Sequence, residues 1–276
     1  MNPSTSTESS TASSSVPEQP KRLKLISWNI DGLDTNNIKN RTKGVQRVIA
    51  NEKPDIVFFQ EVIPKSFAYL EGVFDETYEC IAGGDTGYFT AALVKKATVK
   101  LHDFYLEPFY SSKMGRNLLI LQAEVTSSGI PLLLMTSHLE STKEHASERK
   151  NQLKKAFEEM KVADSKYTVI FGGDMNTRDS EIVEIGGLPE GISDLYEVTG
   201  SRPECKYTWD TNRNDNCIFP GKFKPRCRFD RLYMRPCKSP VRLKPVYFEL
   251  VGIERLPTCQ RFPSDHWGMA VNFDIV

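Results

Sequence analysis

The sequence predicts a single α/β domain in which largely antiparallel sheets pack on one another beneath helices. Three observations lead there. Short β-prone runs alternate with amphipathic helical patterns from Leu23 onward. Their spacing lacks the long, regular strand–helix–strand units of a barrel. The runs Thr90–Val94, Leu118–Val125 and Leu132–Thr136 have no helical pattern between them, so their pairing is expected to be antiparallel.

In chain order, strands are expected at Lys24–Ser27, Ile56–Phe59, Thr90–Val94, Leu118–Val125, Leu132–Thr136, Thr168–Phe171, Phe229–Met234, Val246–Val251 and Met269–Phe273. Helices are expected at Asn40–Asn51, Pro64–Leu70, Glu144–Lys161 and Asp179–Ile185. In the third, Ala146, Leu153, Phe157 and Met160 recur at helical spacing and form a core stripe. Asn212–Lys224 reads as a loop, because it is rich in Asn and charge and contains the turn pair Pro220-Gly221. Residues 1–20 are Ser/Thr-rich with almost no large apolar side chains. They cannot offset their ordering entropy and read as a disordered tail ahead of one catalytic domain spanning residues 21–276.

Composition narrows the class. Hydrophobic residues make up 39% and charged residues 26% of 276, an ordinary globular balance. No apolar stretch is long enough to span a bilayer, and the N-terminus lacks a secretory pattern, so a soluble protein is expected. Six cysteines without paired spacing then read as reduced thiols in the nucleus or cytosol, and zinc is discounted. Net charge is zero, yet Arg202–Arg235 holds nine Lys/Arg against four acids. On charge alone that stretch is a solvated loop; it gains interest only if it flanks a site.

The chemistry sits where the apolar runs end. Leu25-Ile26-Ser27 gives way to Trp28-Asn29, Ile56–Phe59 to Gln60-Glu61, and Leu132–Met135 to Thr136-Ser137-His138. Val169-Ile170-Phe171 leads into Gly172-Gly173-Asp174-Met175-Asn176. Asp230 opens a further run, and Asp265-His266 precedes the last. Singly, most are explained as turn caps, ion pairs or satisfied core histidines. Six such clusters at run boundaries favour a site, because strand ends are where α/β folds gather functional groups. Carboxylates and an amide without cysteine suit a hard divalent cation such as magnesium, with Glu61 as first choice of ligand. Histidines there would donate to phosphoryl oxygens, while Asp174 accepts a proton from water that Asn176 orients. Metal-assisted phosphoester hydrolysis follows.

Trp28-Asn29, Gln60-Glu61, Ser137-His138, Gly173-Asp174-Met175-Asn176 and Ser264-Asp265-His266 also occur in a familiar order. From Leu23 to Val276 the chain resembles the exonuclease–endonuclease–phosphatase superfamily of apurinic endonucleases, inositol polyphosphate phosphatases, neutral sphingomyelinases and deadenylases. That resemblance implies a four-layer α/β sandwich: two central mixed, largely antiparallel sheets, flanking helices, and a divalent metal at the sheet mouth. Four longer strings, Thr136–Thr142, Gly173–Asp179, Tyr207–Asn212 and Arg261–Gly268, look like the 5′-tyrosyl-DNA phosphodiesterase branch. Its members release tyrosine left on DNA 5′ ends by trapped type II topoisomerase, in DNA repair.

Carried over by position, the resemblance makes Glu61 the Mg2+ ligand, with Mn2+ as a substitute, and Asp174 the water activator beside Asn176. His138 and His266 would meet the phosphate, Asp230 would orient His266, and Asn29 and Asp265 would complete the metal-proximal set. Ser141 and Arg178 would lie near the phosphate or DNA. Trp209 is either the branch's substrate-side tryptophan or a core aromatic, and Tyr88, after the glycines of 83–87, is a further substrate contact. If DNA is the substrate, the Arg202–Arg235 patch would track phosphates, and Trp209, Ile218 and Phe219 would stack on exposed bases. The partner implied is a DNA 5′ end carrying tyrosine or a topoisomerase II peptide, in the nucleus. The ubiquitin-binding module of many animal members has no counterpart in this sequence, so ubiquitin binding is not carried over. An apurinic endonuclease or inositol phosphatase remains the alternative within the superfamily, and a non-catalytic scaffold the remoter one.

Overall fold

The structure is a computed structural model that describes residues 22–276. The expected tail, residues 1–20, lies outside the described residues. Two six-stranded sheets form the centre. In the first, the strands β1 (Arg22–Asn29), β2 (Ile56–Val62), β3 (Tyr78–Ala82), β4 (Phe89–Lys95), β13 (Leu243–Val251) and β14 (Gly268–Ile275) run in the order β13-β14-β1-β2-β4-β3. The second contains β5 (Val99–Pro108), β6 (Asn117–Val125), β7 (Ile130–His138), β8 (Thr168–Asp174), β9 (Ser193–Asp194) and β12 (Asp230–Arg235), in the order β5-β6-β7-β8-β12-β9. A two-stranded ribbon, β10 (Trp209–Asp210) with β11 (Arg226–Cys227), stands outside both.

Period-two alternation explains the layering. Along β1, Leu25 enters the core between the sheets, while Ile26 and Trp28 pack on the other side with Val45 and Ile49 of helix α1 (Ile38–Glu52) and Leu70 of helix α2 (Pro64–Phe74). Along β7, Leu132 and Leu134 face the shared core, whereas Leu133 and Met135 meet Leu153, Phe157 and Met160 of helix α3 (Ala146–Val162). Strands buried on both faces read as unbroken apolar runs. The two short helices α4 (Asp179–Glu184) and α5 (Leu195–Val198) complete the chain. The result is the expected four-layer sandwich with two largely antiparallel sheets. No helix among the described residues is long and apolar enough to cross a membrane.

All nine expected strands and four expected helices are present, but β3, β5 and the two-residue strands escape the sequence pattern. β3 and β5 are sheet edges, with much of β5 exposed, so neither carries a continuous apolar run.

Among the described residues only two strand pairs are parallel, β1–β2 and β7–β8, one in each sheet. Both end at the same mouth between the sheets. There Gln60 Nε2 donates to Thr136 Oγ1 at 3.2 Å, a fully buried link from one sheet to the other. Gly173, at φ +148°, lets β8 pass Ser137: a β-carbon there would lie 2.0 Å from the Ser137 carbonyl oxygen. Gly173→Ala is therefore expected to lower unfolding free energy by more than about 2 kcal/mol, measured by urea denaturation; an unchanged midpoint would contradict that packing.

Candidate active site

The ends of five strands and one loop supply the site. β1 delivers Asn29, β2 Glu61, β7 His138 and β8 Asp174; β12 begins with Asp230, and Asp265 and His266 precede β14. Register makes the convergence obligatory, since Asp174 pairs with His138 on one side and with Asp230 on the other. The loop before β14 is tied down by Ser264, whose Oγ donates to the Asn29 carbonyl at 2.6 Å and accepts from the His266 N–H at 3.0 Å. Trp28 Nε1 holds the His266 carbonyl at 2.9 Å.

Asp31, Glu61, Asp174 and Asp265 crowd this mouth. Asn29 braces two of them: its Nδ2 donates to Glu61 Oε1 at 3.1 Å and to Asp174 Oδ2 at 3.0 Å. Its Oδ1 accepts the Asp31 N–H at 2.9 Å, so the amide oxygen is occupied. Burial, then the neighbouring charge of Asp265, pushes Glu61 up to about 7. The same two causes, in the same order, raise Asp31 to about 7 despite Arg41 nearby. For Glu61, a rise of that size corresponds to roughly 3 kcal/mol against the charged form. Asp174 is the exception. Burial opposes its charge, but His138, His266, Asn29 and the Asn176 N–H outweigh it and hold its pKa below the usual carboxylate value.

The two histidines differ in charge. His138 Nδ1 meets Arg116 Nη1 at 3.1 Å; a guanidinium can only donate, so Nδ1 accepts and the proton sits on Nε2. That Nε2 is 3.4 Å from Asp174 Oδ2. Burial, reinforced by Arg116 and His266, drives His138 down to about 3 even though Asp174 opposes this, so the ring is neutral. His266 is also buried, but Asp230, with Asp265 and Asp174, raises its pKa well above 6.5. Its Nδ1 lies 2.7 Å from Asp230 Oδ2, and its Nε2 faces Asp174 at 3.8 Å and Asp265 at 4.0 Å.

The other candidates named from the sequence fall into place unevenly. Asn176, at φ +50°, donates its backbone N–H to Asp174 Oδ1 at 2.9 Å, and its Nδ2 donates to the Leu139 carbonyl. Trp209 is half-buried; its Nε1 donates to Asp265 Oδ2 at 3.1 Å while Phe219 and Phe229 flank its ring. Tyr88 lies 6.1 Å from the His138 ring, with the Arg116 guanidinium 5.0 Å over its own. Ser141 Oγ contacts Met114 Sδ, and Arg178 lies over Phe229. Ile218 is 85% exposed in its loop, one residue after Cys217, whose Sγ donates to the Asp265 carbonyl at 3.1 Å.

Three residues of the site do not stand out in the sequence. Arg116 sits at the start of an apolar run, whereas the polar clusters that draw attention sit at run ends. Asp31 lies two residues past Asn29. Arg41 is fully buried and donates to the carbonyls of Asn36, Asp31 and Pro263, stapling the loop after β1 to the loop before β14.

Two groups of ligand atoms lie within 4.8 Å of one another: Glu61, His138 and Asp174, and Asp174, Asp230 and His266. The second is closed by the Asp230–His266 ion pair. The first, with Asp265 beside it, concentrates negative charge on hard oxygen atoms. The raised pKa of Glu61 is what such a set shows without a cation, so the residues fit a hard divalent ion.

Residues 26–266 match the model of the Endonuclease/Exonuclease/phosphatase family. The chain is similar to tyrosyl-DNA phosphodiesterase 2 of Homo sapiens, 45% identical over 273 residues, covering 99% of this chain and 74% of that relative. It superposes on the crystal structure of D. rerio TDP2 complexed with single strand DNA product at a TM-score of 0.87, with 42% identity, covering 92% of this chain and 99% of that one. TDP2 from C. elegans gives 0.82 at 35% identity, covering 93% and 77%.

In the metal-free protein, carbon-detected NMR is expected to show two carboxyl groups, Asp31 and Glu61, ionising only as pH rises through about 7. Glu61→Gln should leave one. A divalent cation should move the Glu61 titration to lower pH, because ligation favours the ionised form; no movement would argue against a metal at Glu61.

Proposed function

This chain belongs to the endonuclease/exonuclease/phosphatase family and, within it, to the tyrosyl-DNA phosphodiesterase 2 relatives, and from that premise we propose that it hydrolyses the phosphodiester joining a protein tyrosine to a DNA 5′ end. The products are a 5′-phosphate end and tyrosine or a tyrosyl peptide, as repair of a topoisomerase II adduct in the nucleus requires. The observation that carries the chemistry is Asp174, a buried carboxylate kept ionised between two histidines and braced by Asn29 to Glu61. The shared core of both sheets supports reading residues 21–276 as one catalytic domain.

Glu61 and Asp265 would hold a Mg2+ ion, with Mn2+ as substitute, and the bound ion supplies Lewis-acid charge at the phosphoryl oxygens. Asn29 offers nitrogen to the carboxylates, so we assign it to bracing them. Asp174, fixed by the Asn176 N–H, takes a proton from the attacking water. His138 Nε2–H and the His266 imidazolium donate to the phosphoryl oxygens, one neutral and one charged. The new bond joins water oxygen to phosphorus, and the bond that breaks joins phosphorus to the phenolic oxygen. A phenol has a pKa of about 10 and leaves readily as phenolate, so no strong acid is required. A cavity of about 180 Å³ bordered by Tyr88, Arg116 and His138 accommodates the departing aromatic ring. We assign Trp209, with Phe219 and Phe229 against its ring, Arg178 over Phe229, and the exposed Ile218 next to Phe219 in the chain to the DNA side, and Ser141, in contact with Met114 of the cavity lining, to the leaving-group side.

The decisive assay is release of tyrosine from a 5′-tyrosyl oligonucleotide beside abasic DNA as control. EDTA should abolish it, and Glu61→Ala or Asp174→Ala should each lower kcat by about a hundredfold or more. Full activity in either variant, or trapping of a phospho-enzyme by rapid quench, would contradict this reading. Asp230→Asn tests the imidazolium separately. His266 carries its charge below its raised pKa and loses it as pH rises through that value. The variant should lose the charge at lower pH, shifting the alkaline limb of kcat downward; an unmoved limb would contradict the role of the pair.

A further inference from the structure

We propose that Glu140 is the residue that positions Arg116, and with it one wall of the cavity that takes the departing tyrosine ring. The assignment deepens the functional reading above and rests on it. Glu140 is fully buried two residues past His138, and no catalytic step uses it. Its Oε1 accepts the backbone N–H groups of Lys113 at 2.7 Å and Met114 at 3.1 Å. Its Oε2 accepts from Ser112 Oγ at 2.7 Å and from Gln152 Nε2 at 3.0 Å. Both oxygens of the carboxylate are thus satisfied twice over. Burial opposes its charge, but Ser112, Gln152, the Lys113 N–H and the Arg116 guanidinium outweigh it and hold the carboxyl below its usual value.

The chain of hydrogen bonds runs on to the site. Ser112 Oγ, fixed by Glu140, accepts the N–H groups of Met114 at 3.2 Å and Arg116 at 2.9 Å. The segment from Ser112 to Arg116 is thereby folded around one buried anion. Arg116 leaves that segment with Nη1 3.1 Å from His138 Nδ1 and its guanidinium 5.0 Å over the Tyr88 ring. Met114 and Arg116 both border the cavity. The hydrogen bonds of the guanidinium go to His138 and to Met114 Sδ, not to a carboxylate. Backbone placement, rather than an ion pair, therefore decides where its charge sits.

Glu140 is itself held from behind by α3. Gln152 Oε1 accepts the Glu140 N–H at 2.8 Å, and Arg149 Nη1 donates to the Glu140 carbonyl at 3.0 Å. Arg149 is fully buried and paired with Glu181. The end of β7 thus delivers His138 and, two residues later, the anchor of the arginine that fixes the His138 tautomer. Removing the carboxylate would leave two backbone N–H groups without their acceptor and free the segment that carries Arg116.

Tyrosine release by the wild type, Glu140→Ala, Arg116→Ala and the double variant tests this. Each single variant should lower kcat about tenfold. The double variant should match Arg116→Ala, because the anchor has nothing left to position once the arginine is gone. Losses that multiply would overturn the assignment. Ser112→Ala, at a half-buried position, carries the same cycle if Glu140→Ala does not fold. Calorimetry with a 5′-phosphorylated oligonucleotide should find product affinity kept within about twofold; a tenfold loss there would make Glu140 a general support of the fold. Methyl-carbon NMR of labelled methionines reads the segment without catalysis. The Met114 signal should move in Glu140→Ala and Ser112→Ala while the buried Met234 and Met269 hold theirs, and an unmoved Met114 would also overturn the assignment. If Met114 moves but the wild type releases no tyrosine, the functional reading fails and the positioning of Arg116 stands.

Discussion

Everything at the mouth follows from crowding carboxylates where solvent is scarce. Asp31, Glu61, Asp174 and Asp265 are brought together because the parallel pairs β1–β2 and β7–β8 aim their ends at one gap between the sheets. Buried charge of one sign is costly, and the fold answers with backbone and amide devices. Asp31, Glu61 and Asn176 all adopt positive φ, a conformation that side chains of their kind seldom occupy outside turns. Ser264 and Arg41 lock the two loops that enclose the cluster. What those devices leave unanswered is a deficit of positive charge, which a divalent ion bound there would supply.

Within that field, identical side chains acquire different tasks. His138 stands against Arg116 and stays neutral, with its single proton fixed on Nε2 by what the guanidinium can and cannot do. His266 stands against Asp230 and stays charged. One offers a hydrogen bond and the other a hydrogen bond with a charge, and each is set by its neighbour rather than by its own chemistry. Asp174 is kept ionised by the pair together, although burial alone would protonate it.

Much of this is legible from residue order. Central strands are buried on both faces and announce themselves as apolar runs, so the polar residues that end them, such as Glu61, His138 and Asp174, stand out. Edge strands do not: β5 mixes Leu101, His102, Asp103 and Phe104 on largely exposed faces, and nothing local separates it from a loop. Arg116 is hidden for another reason. An arginine before a strand is ordinary, and its value comes from meeting His138 across a strand pairing 22 residues away. Asn29 is recognisable as part of the site, but which of its amide atoms faces the carboxylates is a property of the loop that follows it.

The central claim is that water, deprotonated at Asp174, attacks phosphorus directly and expels the phenolic oxygen. It is tested most directly by hydrolysing a 5′-tyrosyl oligonucleotide in oxygen-18 water and weighing both products. Direct attack places one heavy oxygen in the DNA 5′-phosphate and none in tyrosine. Heavy oxygen in tyrosine, or phosphotyrosine released from a 5′-hydroxyl end, would contradict it.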